Sequence, residues 1–179
     1  TRTMKLPIGY SKVFSLGNWL GIVKNNTVEF YDYDNKNDSW KIISPVAMKL
    51  PADYSDVFSS LRGIRVVKNN TVDCYQYTEG SWKIVPAEAM KLPAGYSKYF
   101  YVSNWLGGVK NNTVEFYLYD YNEKSWKAVP AQSMKLPDGY SDVFSTFTGL
   151  GVVKNNTVEF YTYKDGSWIF LPERSMKLN

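Results

Sequence analysis

Short stretches rich in aromatic and β-branched residues alternate along the chain with turn residues, and no stretch carries the apolar spacing of a helix. The first four stretches, 10–15, 20–24, 27–33 and 39–43, predict four β-strands. Between the second and third stand Asn25 and Asn26, which fit a two-residue hairpin whose central positions need positive φ. Along the third, Val28 and Phe30 project to one face and Tyr31 and Tyr33 to the other. Both faces are apolar or aromatic, so this sheet has to be covered on both sides.

The same pattern returns three more times. KNNTVEF at 24–30 recurs as KNNTVDC at 68–74 and as KNNTVEF at 110–116 and 154–160. Each copy follows a Met-Lys-Leu, at Met4, Met48, Met90 and Met134, with a fifth Met-Lys-Leu at Met176. The methionines are spaced by 44, 42, 44 and 42 residues, and the first Asn of each pair always lies 21 residues after its Met. All length variation therefore falls later, in the loop before Ser-Trp. The chain reads as one repeat domain, 1–179, with units at 4–47, 48–89, 90–133 and 134–175 and a closing segment at 176–179. Four four-stranded sheets at a period of about 43 residues describe the blades of an all-β, four-bladed β-propeller.

Composition narrows the chemistry. There are 179 residues, a net charge of +4 spread over all units, no histidine and one cysteine. A single Cys74 excludes an intramolecular disulfide and a cysteine metal cluster, and its place in a column otherwise filled by Phe30, Phe116 and Phe160 reads as a small buried hydrophobe. Without histidine the commonest neutral-pH base and metal ligand are missing. Scattered lysines argue against specific nucleic-acid binding. No apolar run reaches the length of a transmembrane segment and no leader-like start is present, so a soluble protein is expected, extracellular sooner than cytoplasmic. Asn-Asn-Thr at Asn25, Asn69, Asn111 and Asn155, and Asn37 before Asp38-Ser39, also have the form of glycosylation acceptors.

The entry to each unit carries a resemblance. Leu50-Pro51-Ala52-Asp53-Tyr54-Ser55-Asp56-Val57-Phe58, with counterparts at 6–14, 92–100 and 136–144, is similar to the first strand of hemopexin-like repeats, where Leu-Pro precedes an Asp-Ala-x-Phe strand. The resemblance implies a four-bladed propeller used as a binding scaffold. It departs at Ser11, Ser55, Ser97 and Ser141, which stand at the family's Asp and put its tunnel ion site in doubt. Without histidine, the heme ligation known in some members is excluded.

The units alternate. Lys12 and Lys98 in units 1 and 3 face Asp56 and Asp142 in units 2 and 4, which predicts ion pairs between neighbouring blades. Units 1 and 3 share Asn18-Trp19-Leu20-Gly21 and Asn104-Trp105-Leu106-Gly107, where the even units have Leu61-Arg62-Gly63-Ile64 and Phe147-Thr148-Gly149-Leu150. They also carry the longer loop before Ser-Trp. Both features fall at one end of the blade, so Asn18, Trp19, Asp34 and Asn35, and Asn104, Trp105, Asp120, Tyr121 and Asn122, form the candidate carbohydrate site. An indole beside amides and carboxylates suits the apolar face and hydroxyls of a sugar. These tryptophans equally fit a role as plugs between blades. Trp40, Trp82, Trp126 and Trp168, present in every unit, read as packing between blades.

The reading that follows is a non-enzymatic, multivalent lectin presenting repeated sites on one propeller face to glycans or glycoproteins. No catalytic residue, metal or cofactor is expected, because no unit departs alone from the repeat to supply a single convergent site. The alternative is a hemopexin-like module that binds a protein or another macromolecule, or stores a small cation.

Overall fold

The computed structural model describes residues 4–146 and 148–178. Every unit folds into an antiparallel sheet, as its strand pattern requires. Blade 1 is built from β1 (Tyr10–Leu16), β2 (Trp19–Lys24), β3 (Thr27–Asp34) and β4 (Ser39–Ile42) in that spatial order. A short β5 (Met48–Lys49) pairs with β3 through Val28 and Met48. Blade 2 repeats this with β6 (Tyr54–Ser60), β7 (Gly63–Lys68), β8 (Thr71–Thr78), β9 (Ser81–Ile84) and β10 (Met90–Lys91). Blade 3 comprises β11 (Lys98–Val102), β12 (Trp105–Lys110), β13 (Thr113–Asp120), β14 (Ser125–Ala128) and β15 (Met134–Lys135). Blade 4 comprises β16 (Tyr140–Ser145), β17 (Gly149–Lys154), β18 (Thr157–Lys164) and β19 (Ser167–Lys177). The fold is all-β, four antiparallel sheets in a four-bladed propeller, and its only described helices are single 3-10 turns at Ser44–Val46, Pro86–Glu88 and Pro130–Gln132.

The chain divides into two compact units, Thr1–Leu92 and Pro93–Asn179, each holding two blades. In the first, the core gathers Val23, Val28 and Phe30 of blade 1 with Val57, Ile64 and Val66 of blade 2, and Met48 and Leu50 from the linker. In the second, Val109, Val114 and Phe116 pack with Val143, Leu150 and Val152 around Met134 and Leu136. The Met-Lys-Leu signature thus has a physical purpose. Met48 and Leu50, and Met134 and Leu136, are buried between the two blades of their unit while Lys49 and Lys135 are exposed, and Leu50, Leu92 and Leu136 each donate a backbone hydrogen bond to the second Asn of their own blade's Asn-Asn turn.

Those turns adopt the conformation the sequence predicts. Asn25 and Asn26 have φ of 48° and 57°, and the other three pairs match them closely. The predicted ion pairs form inside each unit, Lys12 with Asp56 and Lys98 with Asp142. Each Asp also accepts the next backbone N–H, from Val57 or Val143, at 2.8 Å. Ser11, Ser55, Ser97 and Ser141 all turn their hydroxyls back onto a carbonyl of their own blade, at 3.3–3.4 Å. Phe147, part of the even-unit pattern, lies outside the described residues, as does Asn179 of the closing segment.

Blade 4 closes differently. Where the other blades leave the fourth strand through a 3-10 turn, β19 runs on past Pro172 and pairs twice with β18, first through Leu171 and Phe160 and then through Met176 and Val158. The residues between bulge out of the ladder, which is where a proline is tolerated.

The Asn-Asn turn gives a direct test. Replacing Asn26 by Gly should leave stability near that of the parent, whereas Asn26→Val should cost about 1–2 kcal/mol, because a β-branched residue is forced into the left-handed region. Urea unfolding of the two variants measures the difference.

Candidate functional site

Within each two-blade unit, one aromatic stack spans the blades. Phe30 is fully buried and lies between Trp19 of its own blade, at 5.9 Å between ring centroids, and Trp82 of the next, at 5.4 Å and 23° between planes. Phe116 repeats the arrangement between Trp105, at 5.7 Å, and Trp168, at 5.5 Å and 22°. The even-blade indoles are also pinned at their polar edge. Trp82 Nε1 donates to the Val46 carbonyl at 2.6 Å, and Trp168 Nε1 donates to the Gln132 carbonyl at 2.6 Å. Each acceptor belongs to the linker that enters the blade, 36 residues earlier in the chain.

This joint creates an open groove beside each pinned indole. In blade 2 it measures about 310 Å³ and is walled by Tyr75, Tyr77 and Trp82, the Ser81 edge and the linker residues Pro45 and Lys49. Its blade 4 counterpart measures about 340 Å³, with Tyr161, Trp168, Ser167, Ala131 and Lys135 in matching places. The short turns Glu79-Gly80 and Asp165-Gly166 leave the mouths open, and their positive φ values of 52° and 76°, and 51° and 83°, explain the glycine at the second position. Tyr77 and Tyr163 rest their hydroxyls on the Pro45 and Ala131 carbonyls at 3.5 and 3.4 Å. Burial raises the Tyr75 phenol above its ordinary range, and burial followed by the Glu159 hydrogen bond pushes Tyr161 up to about 12. Both therefore stay protonated at neutral pH, and Tyr161 gives its proton to Glu159 at 2.8 Å.

The sequence-predicted residues are placed as follows. Trp19 and Trp105 are half-buried props beneath the groove indoles, and Trp105 also meets Tyr163 edge-on at 5.3 Å. Asn18 and Asn104 sit exposed at the hairpin turns before them. The carboxylates of Asp34 and Asp120 are engaged inside their own loops. Asp34 accepts from Lys36 N at 2.9 Å and Asn37 Nδ2 at 2.7 Å and pairs with Lys41 at 2.5 Å, while Asp120 accepts from Asn122 N at 2.9 Å and Lys127 Nζ at 2.8 Å. The lysine in each case leads in holding the carboxyl below its ordinary range. Asn35, Tyr121 and Asn122 are exposed on those loops, and Tyr121 packs edge-on against Tyr119 at 4.9 Å. The longer odd-blade loops are thus braced by their own aspartates.

Blade 2 departs alone from the repeat, which sequence reasoning missed. Arg65 stands in a column of glycines (Gly21, Gly107, Gly151), where a Cβ would fall 2.4–2.7 Å from the ring of the neighbouring Phe. Its cross-strand partner is Cys74, the one position of its column without a Phe ring. Arg65 is 1% exposed and pairs with Glu88 at 2.8 Å, and its Nε donates to Ser60 Oγ at 3.3 Å. Four changes, Ser60, Arg65, Cys74 and Glu88, are therefore coupled, and comparing the four units column by column would have found them. Burial pushes the Cys74 thiol up to about 12, so it is a protonated, packed group rather than a nucleophile. Among the described residues no group of three or more His, Cys, Asp or Glu side chains is placed to hold a metal, and no helix is long and apolar enough to cross a membrane.

No family model matches the sequence, and no curated protein matches it. Solved structures do match the fold. One is a protein of unknown function from Desulfotomaculum acetoxidans, 11% identical with a TM-score of 0.51, covering 97% of this chain and 58% of its own. Another is a candidate 6-phosphogluconolactonase from Bacteroides uniformis, 9% identical with a TM-score of 0.52, covering 94% of this chain and 55% of its own. The chain thus spans little more than half the length of these structures, and identities this low show the fold alone. They still overturn the expectation that the chain is not an enzyme, since a candidate enzyme shares its fold. The supporting argument, that no unit departs alone, fails as well at blade 2.

Removing the Glu88 carboxylate tests the blade 2 cluster. Glu88→Ala removes the carboxylate that balances the buried Arg65 charge and should cost about 3–5 kcal/mol in chemical denaturation. Restoring the repeat with Arg65→Gly, Cys74→Phe and Glu88→Gln together should recover most of that loss.

Proposed function

We propose that the protein is a multivalent carbohydrate-binding protein whose principal sites are the paired grooves beside Trp82 and Trp168. The observation that carries this reading is the duplicated pairing of a fixed indole with tyrosine side chains in grooves of about 310 and 340 Å³. A pyranose stacks its C–H face on an indole plate and offers its hydroxyls to phenols, a serine and a lysine. Groove volumes near 300 Å³ suit one or two sugar rings rather than a long chain. Trp19 and Trp105 hold the plates in place through Phe30 and Phe116. In this reading the exposed Asn18, Asn35, Asn104, Asn122 and Tyr121 form an outer rim, with Asp34 and Asp120 shaping the loops that carry them. Two sites per chain on a glycan-covered surface gain avidity of about 10²- to 10⁴-fold over one.

The hemopexin-like resemblance supports no more than the scaffold here, because the hydroxyls of Ser11, Ser55, Ser97 and Ser141 are each turned onto a backbone carbonyl. The resemblance leaves a macromolecular partner as the competing reading.

A glycan array probed with labelled protein tests the proposal. The parent should bind a restricted set of glycans, and a folded Trp82→Ala/Trp168→Ala variant should lose at least about tenfold in affinity. Trp19→Ala/Trp105→Ala should weaken binding less, through a looser plate. Unchanged binding in the first variant, or no glycan bound by the folded parent, would sink the reading and favour a protein partner.

A further inference from the structure

Blade 3 differs from its siblings along one row of neighbouring strands. Tyr99 stands where the others have Val13, Val57 and Val143, and Gly108 where they have Ile22, Val66 and Val152. The backbone register joins Tyr99 to Gly108 and Gly108 to Glu115, so both changes border the same carboxylate. Gly108 is what admits a third tyrosine: a Cβ there would lie 2.5 Å from Tyr96 Cδ1. Tyr96 accordingly leaves the strand that its counterparts Tyr10, Tyr54 and Tyr140 begin, and leans over the glycine. Its hydroxyl donates to Glu115 Oε2 and lies 2.7 Å from the Tyr117 hydroxyl, and its ring meets Tyr99 at 5.6 Å. In blades 1 and 4 the matching glutamates accept from the tyrosine two residues on, Tyr31 at 2.9 Å and Tyr161 at 2.8 Å.

A third change opens space beside this carboxylate. Ala128, the cross-strand partner of Tyr117, replaces Ile42, Ile84 and Phe170 of the other blades. In blade 4 the Phe170 ring lies 5.4 Å from that of Tyr161, filling the position. In blade 3 the truncation to alanine leaves a groove of about 270 Å³, walled by Glu115 and Tyr117 and floored by Phe116, Val129 and Pro130. One blade therefore combines an aromatic-sized vacancy against a tyrosine with a carboxylate at its edge. The Tyr96 ring face is already held by the Lys110 ammonium, 5.5 Å from its centroid, which leaves Tyr117 and Glu115 as the groups facing the groove.

We infer that blade 3 carries a binding site for an aromatic amine, whose ring takes against Tyr117 the place that Phe170 holds against Tyr161 and whose ammonium pairs with Glu115. The charge-assisted hydrogen bond selects the protonated amine, and the apolar floor selects the ring. Burial and the Glu115 hydrogen bond raise the Tyr96 phenol above its ordinary range, so it remains a donor that fixes the carboxylate's orientation. The site is separate from the groove at Trp82, and it adjoins the groove at Trp168 through Phe116 and Ser133.

Calorimetric titration with 2-phenylethylammonium chloride tests the inference, with neutral 2-phenylethanol in parallel. One saturable site per chain is expected, with the alcohol weaker by at least about tenfold. Glu115→Gln should lose about as much as the alcohol does, and Ala128→Phe, which installs the blade 4 side chain, should abolish binding. Trp82→Ala, which removes an indole packed on Phe30 and not on Phe116, should bind the amine like the parent. Absence of a saturable site in the parent, equal binding of amine and alcohol, or undiminished binding in Ala128→Phe would each overturn the inference. Should Ala128→Phe fail a circular-dichroism check of its fold, Glu115→Gln and the amine–alcohol comparison decide alone.

Discussion

The joint between an indole and the linker entering its blade is the interaction on which each two-blade unit depends. Trp82 and Trp168 reach back 36 residues to a carbonyl while their ring faces lie on a buried Phe of the preceding blade. The two contributions differ in kind. Trp82 and Trp168 are half-buried, so about half of a tryptophan's 150–250 Å² leaves water, worth ~2–3 kcal/mol at about 25 cal/mol per Å², against ~1 kcal/mol net for one hydrogen bond. Burial keeps the ring in place, and the hydrogen bond decides how it is turned. A plate that is both packed and oriented can form a groove wall without rearranging on binding, which lowers the cost of association.

The same joint explains the alternation of the repeat. Trp19 and Trp105 complete the stack from the far side of Phe30 and Phe116, so an odd blade supplies the prop and an even blade supplies the groove. The unit that carries a groove is two blades, and repetition of that pair gives two grooves. Against this background the single-blade departures stand out. Arg65, in a column of glycines, forms a buried charged pair with Glu88 in blade 2, while Tyr99, Gly108 and Ala128 rebuild the neighbourhood of Glu115 in blade 3. Such a pair is weak evidence for added stability, since its desolvation offsets its attraction.

Much of the fold was legible because its determinants are local. The Asn-Asn turns, the alternation of Val28 and Phe30 against Tyr31 and Tyr33, and the fixed Met-to-Asn spacing all act within one unit. The Lys12–Asp56 and Lys98–Asp142 pairs were legible too, since the repeat places equivalent residues on adjacent first strands. The grooves were not. Their walls join Tyr75 and Trp82 to Pro45 and Lys49 of the preceding linker, and no spacing within a unit announces that meeting. Sequence reasoning found the odd-blade indoles because they break the repeat and passed over the even-blade ones because every unit has a Trp there. Asp34 and Asp120 looked like available acceptors, yet their local backbone and lysine partners engage them, a consequence of loop geometry that composition does not reveal.

The central claim is that sugars dock on the pinned indoles, and the six tryptophans give six indole N–H signals that report on it separately. Two-dimensional ¹H–¹⁵N spectra recorded while titrating a glycan that the protein binds would follow each one. The account predicts that the Trp82 and Trp168 signals shift together and saturate, with smaller responses at Trp19 and Trp105 through Phe30 and Phe116. Saturable glycan binding that leaves Trp82 and Trp168 unmoved would contradict it.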